Sequence, residues 1–194
     1  MSSLEDRIEA LESDLLATPP RNNAYHDLPF AILRYDPGDE FAARKHMRFL
    51  GTRIENGGRR VHFISLARLL WTAVEATEGV TAVAEAEKQL GFSRAQETVS
   101  TLLSDEAFMP LPDALCRQME HMDPQHDVVF LVRTAALSPA IYRCAKLLDE
   151  MHGRTMVPII LFYPGTLESE SSLRYMDLPE REHTGAYNYR VRIY

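Results

Sequence analysis

Asp127-Val128-Val129-Phe130-Leu131-Val132 opens the stretch that decides the fold, and Val157-Pro158-Ile159-Ile160-Leu161-Phe162-Tyr163 closes it. Both are apolar runs without polar alternation, as expected of strands covered on both faces. Between them, Ile141, Ala145, Leu148 and Met151 recur at helical spacing, with Tyr142 beside them. Ser138-Pro139 has the form of an N-cap followed by a first helical residue, and Gly153 stands where the helix would end. Strand, helix and strand in this order make a βαβ unit, whose crossover should be right-handed.

Upstream, the same grammar repeats. Leu28 to Tyr35 reads as a strand, with Pro29 tolerated near its start. Asp36-Pro37 then starts a helix whose buried face is read as Phe41, Met47, Leu50 and Ile54, and Asn56-Gly57-Gly58 is a turn. Val61-His62-Phe63-Ile64 follows as a strand. Ser65 caps a helix carrying Leu66, Leu69, Leu70 and Val74. Two successive βα units support a parallel sheet. The first helix has Ser3 and Asp6 at capping-box spacing and an apolar face of Leu4, Ile8, Leu11 and Leu15. Between about residues 80 and 122 only helices are expected. Val83, Glu87 and Leu90 share a face there, Gly91 is a terminator, and Ser93 with Gln96 forms a second capping-box match. Downstream, Leu167 to Arg181 reads as loop with one short element. Tyr187, Tyr189, Val191 and Ile193 alternate with Asn188, Arg190, Arg192 and Tyr194. That period of two predicts a final strand at a sheet edge, with an antiparallel sense left open. The fold class that follows is α/β: a single-domain, open three-layer sandwich with a mainly parallel sheet of about five strands and a helical insertion over about 80–122.

Composition narrows the function classes. The 194 residues suffice for one domain with a real core. A net charge of -7 argues against a chain built to coat nucleic acid. The two cysteines, Cys116 and Cys144, make neither a disulfide framework nor a metal-ligand spacing and read as reduced core thiols. No basic-plus-apolar leader and no run of about 20 apolar residues is found, so a cytoplasmic location away from membranes is expected.

The chemistry is sparse. Neither G-x-G-x-x-G nor G-x-x-x-x-G-K-[ST] occurs. His121 and His126 flank a proline turn, which suits no zinc helix, and His62 within its strand reads as a satisfied core histidine. No metal ligands, cofactor or catalytic residues are assigned. One geometric expectation remains, because sites in open parallel sheets lie beyond the carboxyl ends of the strands. Arg34, Ser65, Arg133 and Thr166 occupy those ends. Arg133 follows a wholly apolar strand and is placed to bind phosphate or a partner's carboxylate, or to form a structural ion pair with Asp127 or Asp149. Arg190 and Arg192 share one side of the terminal strand and are candidates for an acidic protein surface or for phosphates, the former weighted more heavily.

Several segments together carry a resemblance: Tyr25 to Ile32, Arg34-Tyr35, Phe92 to Thr98, Asp127 to Arg133, Arg154 to Pro158, Phe162 to Leu167, and the closing Tyr189 to Tyr194. On these the chain resembles the BrxB family, the small B component of the BREX bacteriophage-exclusion system. The resemblance implies a system role beside a large ATPase, an adenine-specific DNA methyltransferase and an alkaline-phosphatase-like protein, which together mark host DNA and block phage replication. It implies an adaptor or assembly subunit that binds companion proteins, the ATPase and the phosphatase-like protein being the candidates. Direct DNA binding is expected to be weak or absent. The alternative is a degenerate nucleotide-binding or metal-dependent nucleic-acid-processing module with Arg34, Ser65, Arg133 and Thr166 lining its cleft.

Overall fold

A computed structural model of the chain describes residues 3–17, 21, 29–139, 141–168, 173–178 and 191–194. Its elements run α1 (Leu4–Leu16), β1 (Phe30–Tyr35), α2 (Glu40–Asn56), β2 (Arg60–Ser65), α3 (Leu66–Ala76), α4 (Val80–Leu90), α5 (Phe92–Leu102), α6 (Leu111–Met119), β3 (Asp127–Val132), α7 (Cys144–Met151), β4 (Ile159–Leu167), β5 (Leu173–Tyr175) and β6 (Arg192–Ile193). Short 3-10 turns occupy Pro37–Asp39 and Thr134–Leu137.

The sheet order is β2-β3-β4-β1-β6, and β5 pairs with β4. All neighbours along the main order are parallel, while β5 is antiparallel to β4. Val129, Phe130 and Leu131 stand opposite Ile159, Ile160 and Leu161, so the two strands of the expected βαβ unit are direct neighbours. From β1 to β2 the chain travels one way across the sheet, and from β2 through β3 to β4 it travels back. A single crossover hand requires the covering helix to change face when the direction reverses, and it does. Helices α1 and α2 lay Ile8, Leu11, Leu15, Met47, Leu50 and Ile54 on Ala31, Leu33, Val128, Phe130, Ile160 and Phe162. On the opposite face, α3, α6 and α7 lay Leu66, Leu69, Leu115, Leu147 and Met151 on Ile32, Ile64, Val129, Leu131, Ile159 and Leu161. Successive residues of each central strand thus alternate between two buried layers, which explains their unbroken apolar runs.

Several local signals act as written. Ser3 and Asp6 form a reciprocal capping box, with Ser3 N donating to Asp6 Oδ2 at 2.8 Å and Asp6 N donating to Ser3 Oγ at 3.1 Å. Ser65 Oγ accepts from Arg68 N at 3.3 Å to start α3. Gly153, at φ 71°, takes the left-handed conformation just beyond the end of α7. Gly165 is required for another reason: a Cβ there would lie 2.1 Å from the Arg174 carbonyl oxygen across the β4–β5 hairpin.

Three expectations are corrected, and the sense left open for the terminal strand is fixed. Ser138 does not cap α7. Its N–H closes the preceding 3-10 turn onto Ala135 O, and the helix starts only at Cys144, with Arg143 at its N-cap. Phe41 is not part of the buried face of α2; it is 82% exposed, and the stripe runs instead through Ala43, Met47, Leu50, Gly51 and Ile54. Ser93 is no cap, because α5 has already begun at Phe92 with Gly91 before it. The terminal strand joins the sheet edge in parallel, with Ala31 opposite Arg192 and Ile32 opposite Ile193. The rest of that strand up to Arg190, and Leu28 at the start of the first strand, lie outside the described residues.

Candidate functional site

The structure distributes the residues that close the strands over separate surroundings. Ser65 is spent on capping α3. Thr166 sits where β4 runs into its hairpin, and its Oγ1 donates to Asp177 Oδ1 at 2.6 Å. The same hairpin folds back over the ends of β4 and β3, where Met176 N donates to Pro164 O and the Tyr175 hydroxyl to Thr134 O. In doubly wound sheets the point where the strand order reverses is the usual ligand crevice; here it lies between β1 and β4, whose ends contribute Arg34 and Leu167 to one hollow. Arg34 lines a hollow of 340 Å³ with Asp6, Arg7, Ala10, Ile193 and Tyr194. Burial lowers the pKa of Arg7, and the charge of Arg34 lowers it further, which places two guanidinium groups within electrostatic reach of each other.

Arg192 is engaged within the chain. It donates to Asp14 Oδ2 and to Arg21 O, each at 2.8 Å, and lies 5.1 Å from the centre of the Tyr194 ring. The Tyr194 hydroxyl donates to the same Asp14 carboxylate at 2.8 Å. Burial and that hydrogen bond hold the phenol well above its ordinary range. Arg190 lies outside the described residues.

Arg133 is the candidate with an open setting. It occupies the left-handed region at φ 63°, unusual for a non-glycine residue and costing on the order of 1 kcal/mol. Such an outlier persists only when its surroundings fix it, and here they do. The next residue, Thr134, is fully buried and its Oγ1 donates to Phe162 O at 2.5 Å, locking the end of β3 to β4. Arg133 then lines a hollow of 240 Å³ with Arg44, Arg48 and Glu40 of α2, over a floor of Met47, Phe63 and Val132. The acid in this group is already committed: Glu40 accepts from Arg44 Nε at 2.6 Å and from the Tyr35 hydroxyl. Burial, reinforced by Glu40, keeps the Tyr35 phenol protonated far above its ordinary range. Neither the Arg48 nor the Arg133 side chain has a hydrogen-bond or ion-pair partner among the described residues.

Reading the sequence for a buried face also missed an aromatic-basic stripe on α2, separate from the residues that line the hollow at Arg133. The exposed side of α2 carries Phe41 and Phe49, and Phe49 is 53% exposed. Arg44 lies 5.3 Å from the Phe41 ring centre and Lys45 lies 5.9 Å from that of Phe49. Phe41, Lys45 and Phe49 recur at i, i+4 and i+8, a helical stripe in its own right. That spacing was the available signal.

At the opposite end of the strands sits a structural cluster. Asp127 is buried and accepts from Arg60 Nε at 2.6 Å, from Arg60 through a second nitrogen at 2.7 Å, and from Asp123 N at 2.6 Å. It also pairs with His62 Nε2 at 2.7 Å. The bonds from Arg60, joined by those from Asp123 N–H and His62, hold its carboxyl well below the usual range despite burial. Asp127 is therefore the partner of Arg60 and not of Arg133. Next to it the buried Arg59 donates to Leu15 O at 3.1 Å, Pro124 O at 3.2 Å and Asp127 O at 3.3 Å, which staples α1 to the head of β3.

Other reactive groups are muted. Burial pushes the Cys144 thiol up to about 12, so it stays protonated at neutral pH. His126 Nδ1 lies 2.6 Å from Asp123 Oδ2 at the surface. Among the described residues no three His, Cys, Asp or Glu side chains gather where they could hold a metal ion, and no helix is long and apolar enough to cross a membrane.

Fold and site together define a class: a mainly parallel, three-layer α/β protein whose open surface features include an arginine-rimmed hollow and an aromatic-basic helix face. Residues 62–193 match the family model of the BREX protein BrxB, and the chain belongs to that family. No curated protein and no solved structure gives a match.

Proposed function

We propose that the chain is a non-catalytic adaptor subunit of a BREX phage-defence complex, acting in the cytoplasm by binding companion proteins. Family membership supports an accessory BREX role. The observation that carries the finer reading is the exposure of large aromatic side chains beside basic ones: Phe41 and Phe49 on α2 and Phe63 on β2 are all more than 45% exposed, with Arg44 against Phe41 and Lys45 against Phe49. Aromatic and arginine side chains are the residues that dominate protein–protein recognition. The large ATPase and the phosphatase-like protein of the system are the candidate companions. A pull-down of the purified chain with each companion tests this. Retention of at least one at micromolar concentration is expected, and retention of neither defeats the adaptor reading.

The second reading, a degenerate nucleotide-binding or nucleic-acid-processing module, draws on the hollow at Arg133. Its volume of 240 Å³ falls below the roughly 300–1,000 Å³ of sites that enclose a small molecule. Such a hollow suits a single anchoring side chain better than a nucleotide. Titration calorimetry with ATP and Mg²⁺ should therefore give no heat of binding; a saturable signal abolished by Arg133→Ala would favour this reading over the adaptor.

A further inference from the structure

We infer that the free edge of β2, together with the arginine-rimmed hollow beside it, is a docking groove for an extended acidic segment of a partner protein. This inference rests on the adaptor reading and specifies its surface and the chemistry of its ligand.

The edge comes first. β2 ends the strand order, and among the described residues no strand lies on its outer side. Arg60 N donates to His126 O at 2.7 Å, so the backbone of Arg60 faces β3. In a parallel ladder the N–H and C=O of one residue point the same way and those of the next point oppositely. The N–H and C=O groups of Val61 and Phe63 therefore point outward. They form a template onto which an extended chain can add by main-chain hydrogen bonds.

The hollow supplies the side-chain selectivity. Val61 packs into the layer beneath α2, and Phe63, two residues on, shares that face. The Phe63 ring is anchored edge-on against Phe130, 5.3 Å between centres, yet remains 47% exposed. An added strand would lie about 4.8 Å away and present alternate side chains on the same face as Phe63. Those side chains meet the apolar floor of Met47, Phe63 and Val132 and the rim of Arg44, Arg48 and Arg133. Glu40 is already held by Arg44 and Tyr35, and Arg48 and Arg133 keep donors to spare. The complement is a segment that alternates acidic and aliphatic residues. A second copy of this chain fits poorly, because its own β2, Arg60 to Ser65, carries no acidic residue to meet the rim.

The test titrates the full chain, at about 0.15 M salt, with a short synthetic peptide alternating glutamate and valine, and follows amide hydrogen exchange. Expected are saturable binding, slowed exchange at Val61 and Phe63, and a loss of affinity of about tenfold or more in the double variant Arg48→Glu/Arg133→Glu. The variant Arg94→Glu, on α5, should bind as wild type does. Because neither Arg48 nor Arg133 holds a structural partner among the described residues, the double variant should keep its unfolding midpoint, which is measured alongside. Absence of peptide binding, protection elsewhere than β2, or unchanged affinity in the double variant overturns the groove. So does a single-stranded oligonucleotide that binds this face while the peptide does not. The same variants are carried through the companion pull-down. Companion binding that survives the double reversal removes the groove and leaves the adaptor reading standing. Peptide binding at β2 with no companion retained does the reverse.

Discussion

Asp127 carries the densest set of polar contacts in the described chain, and its chemistry makes a sharp prediction. Its folded-state pKa lies below the ordinary value of about 3.8. A group shifted down contributes stability that is complete above the unfolded-state pKa and is lost as pH falls through the folded one. Wild-type stability should thus decline below about pH 4 partly through this residue. Asp127→Asn should cost about 2 kcal/mol at neutral pH, a figure kept modest because the Arg60 side chain is largely exposed. The gap to wild type should narrow as pH drops below 4. Urea unfolding at several pH values measures both; a gap that widens in acid would contradict the assignment. The same residue illustrates a limit of linear reading. Proximity in sequence makes Asp127 a possible partner for Arg133, but a six-residue strand separates them end to end, and the contacts with Arg60 and His62 exist only because β2 lies beside β3 in register.

At the level of elements, α2 is the informative case. Its buried stripe and its aromatic stripe lie on different sides, so substitutions on the two should behave oppositely. Leu50→Ala, fully buried, should cost about 3 kcal/mol. Phe41→Ser with Phe49→Ser should change stability by no more than about 0.5 kcal/mol, while weakening companion retention. Thermal unfolding separates the two; a large destabilisation by the phenylalanine pair would mean that the stripe supports the fold. The sequence reading groups Phe41 with Met47, Leu50 and Ile54, but the stripe that packs on the sheet passes through Ala43 instead and leaves Phe41 outside it. The βαβ unit was legible for a physical reason, since strands covered on both faces cannot hide their apolar continuity. The start of α7 was not. Ser138-Pro139 has good capping chemistry, but the chain first makes a 3-10 turn that seats Thr134 and Leu137 in the core. The sense of β6 was equally unreadable, because a strand's alternation is the same whichever way it runs. Arg133 could be picked out as a charge ending an apolar strand. Its neighbours Arg44 and Arg48 could not, because they reach it only through the packing of α2 on the sheet.

For the molecule as a whole, charge decides the expected relation to DNA. The chain carries -7, and the free arginines around the hollow form one local patch against that background. Two or three phosphate contacts would give modest and strongly salt-dependent affinity. The isolated chain should therefore bind duplex DNA no more tightly than about 10 µM at 0.15 M salt. Fluorescence anisotropy with a labelled duplex checks this; sub-micromolar binding would show direct DNA contact instead of recruitment through companions.

The place of β1 in the sheet has a consequence for biosynthesis. This strand is flanked by β4 and β6, both encoded far downstream, whereas β2, the next strand made, joins the opposite edge. At roughly 5–20 residues per second, β1 leaves the ribosome on the order of ten seconds before its first neighbour exists. Throughout that interval Phe30-Ala31-Ile32-Leu33 is an apolar strand with two unpaired edges. Its early cover can come from α1 and α2, which are made around it and share its buried face. The capping box at Ser3 favours an early helix whose apolar side matches β1, and the exposed Glu5, Asp6 and Glu9 give its outer side a charge that opposes association between neighbouring nascent chains.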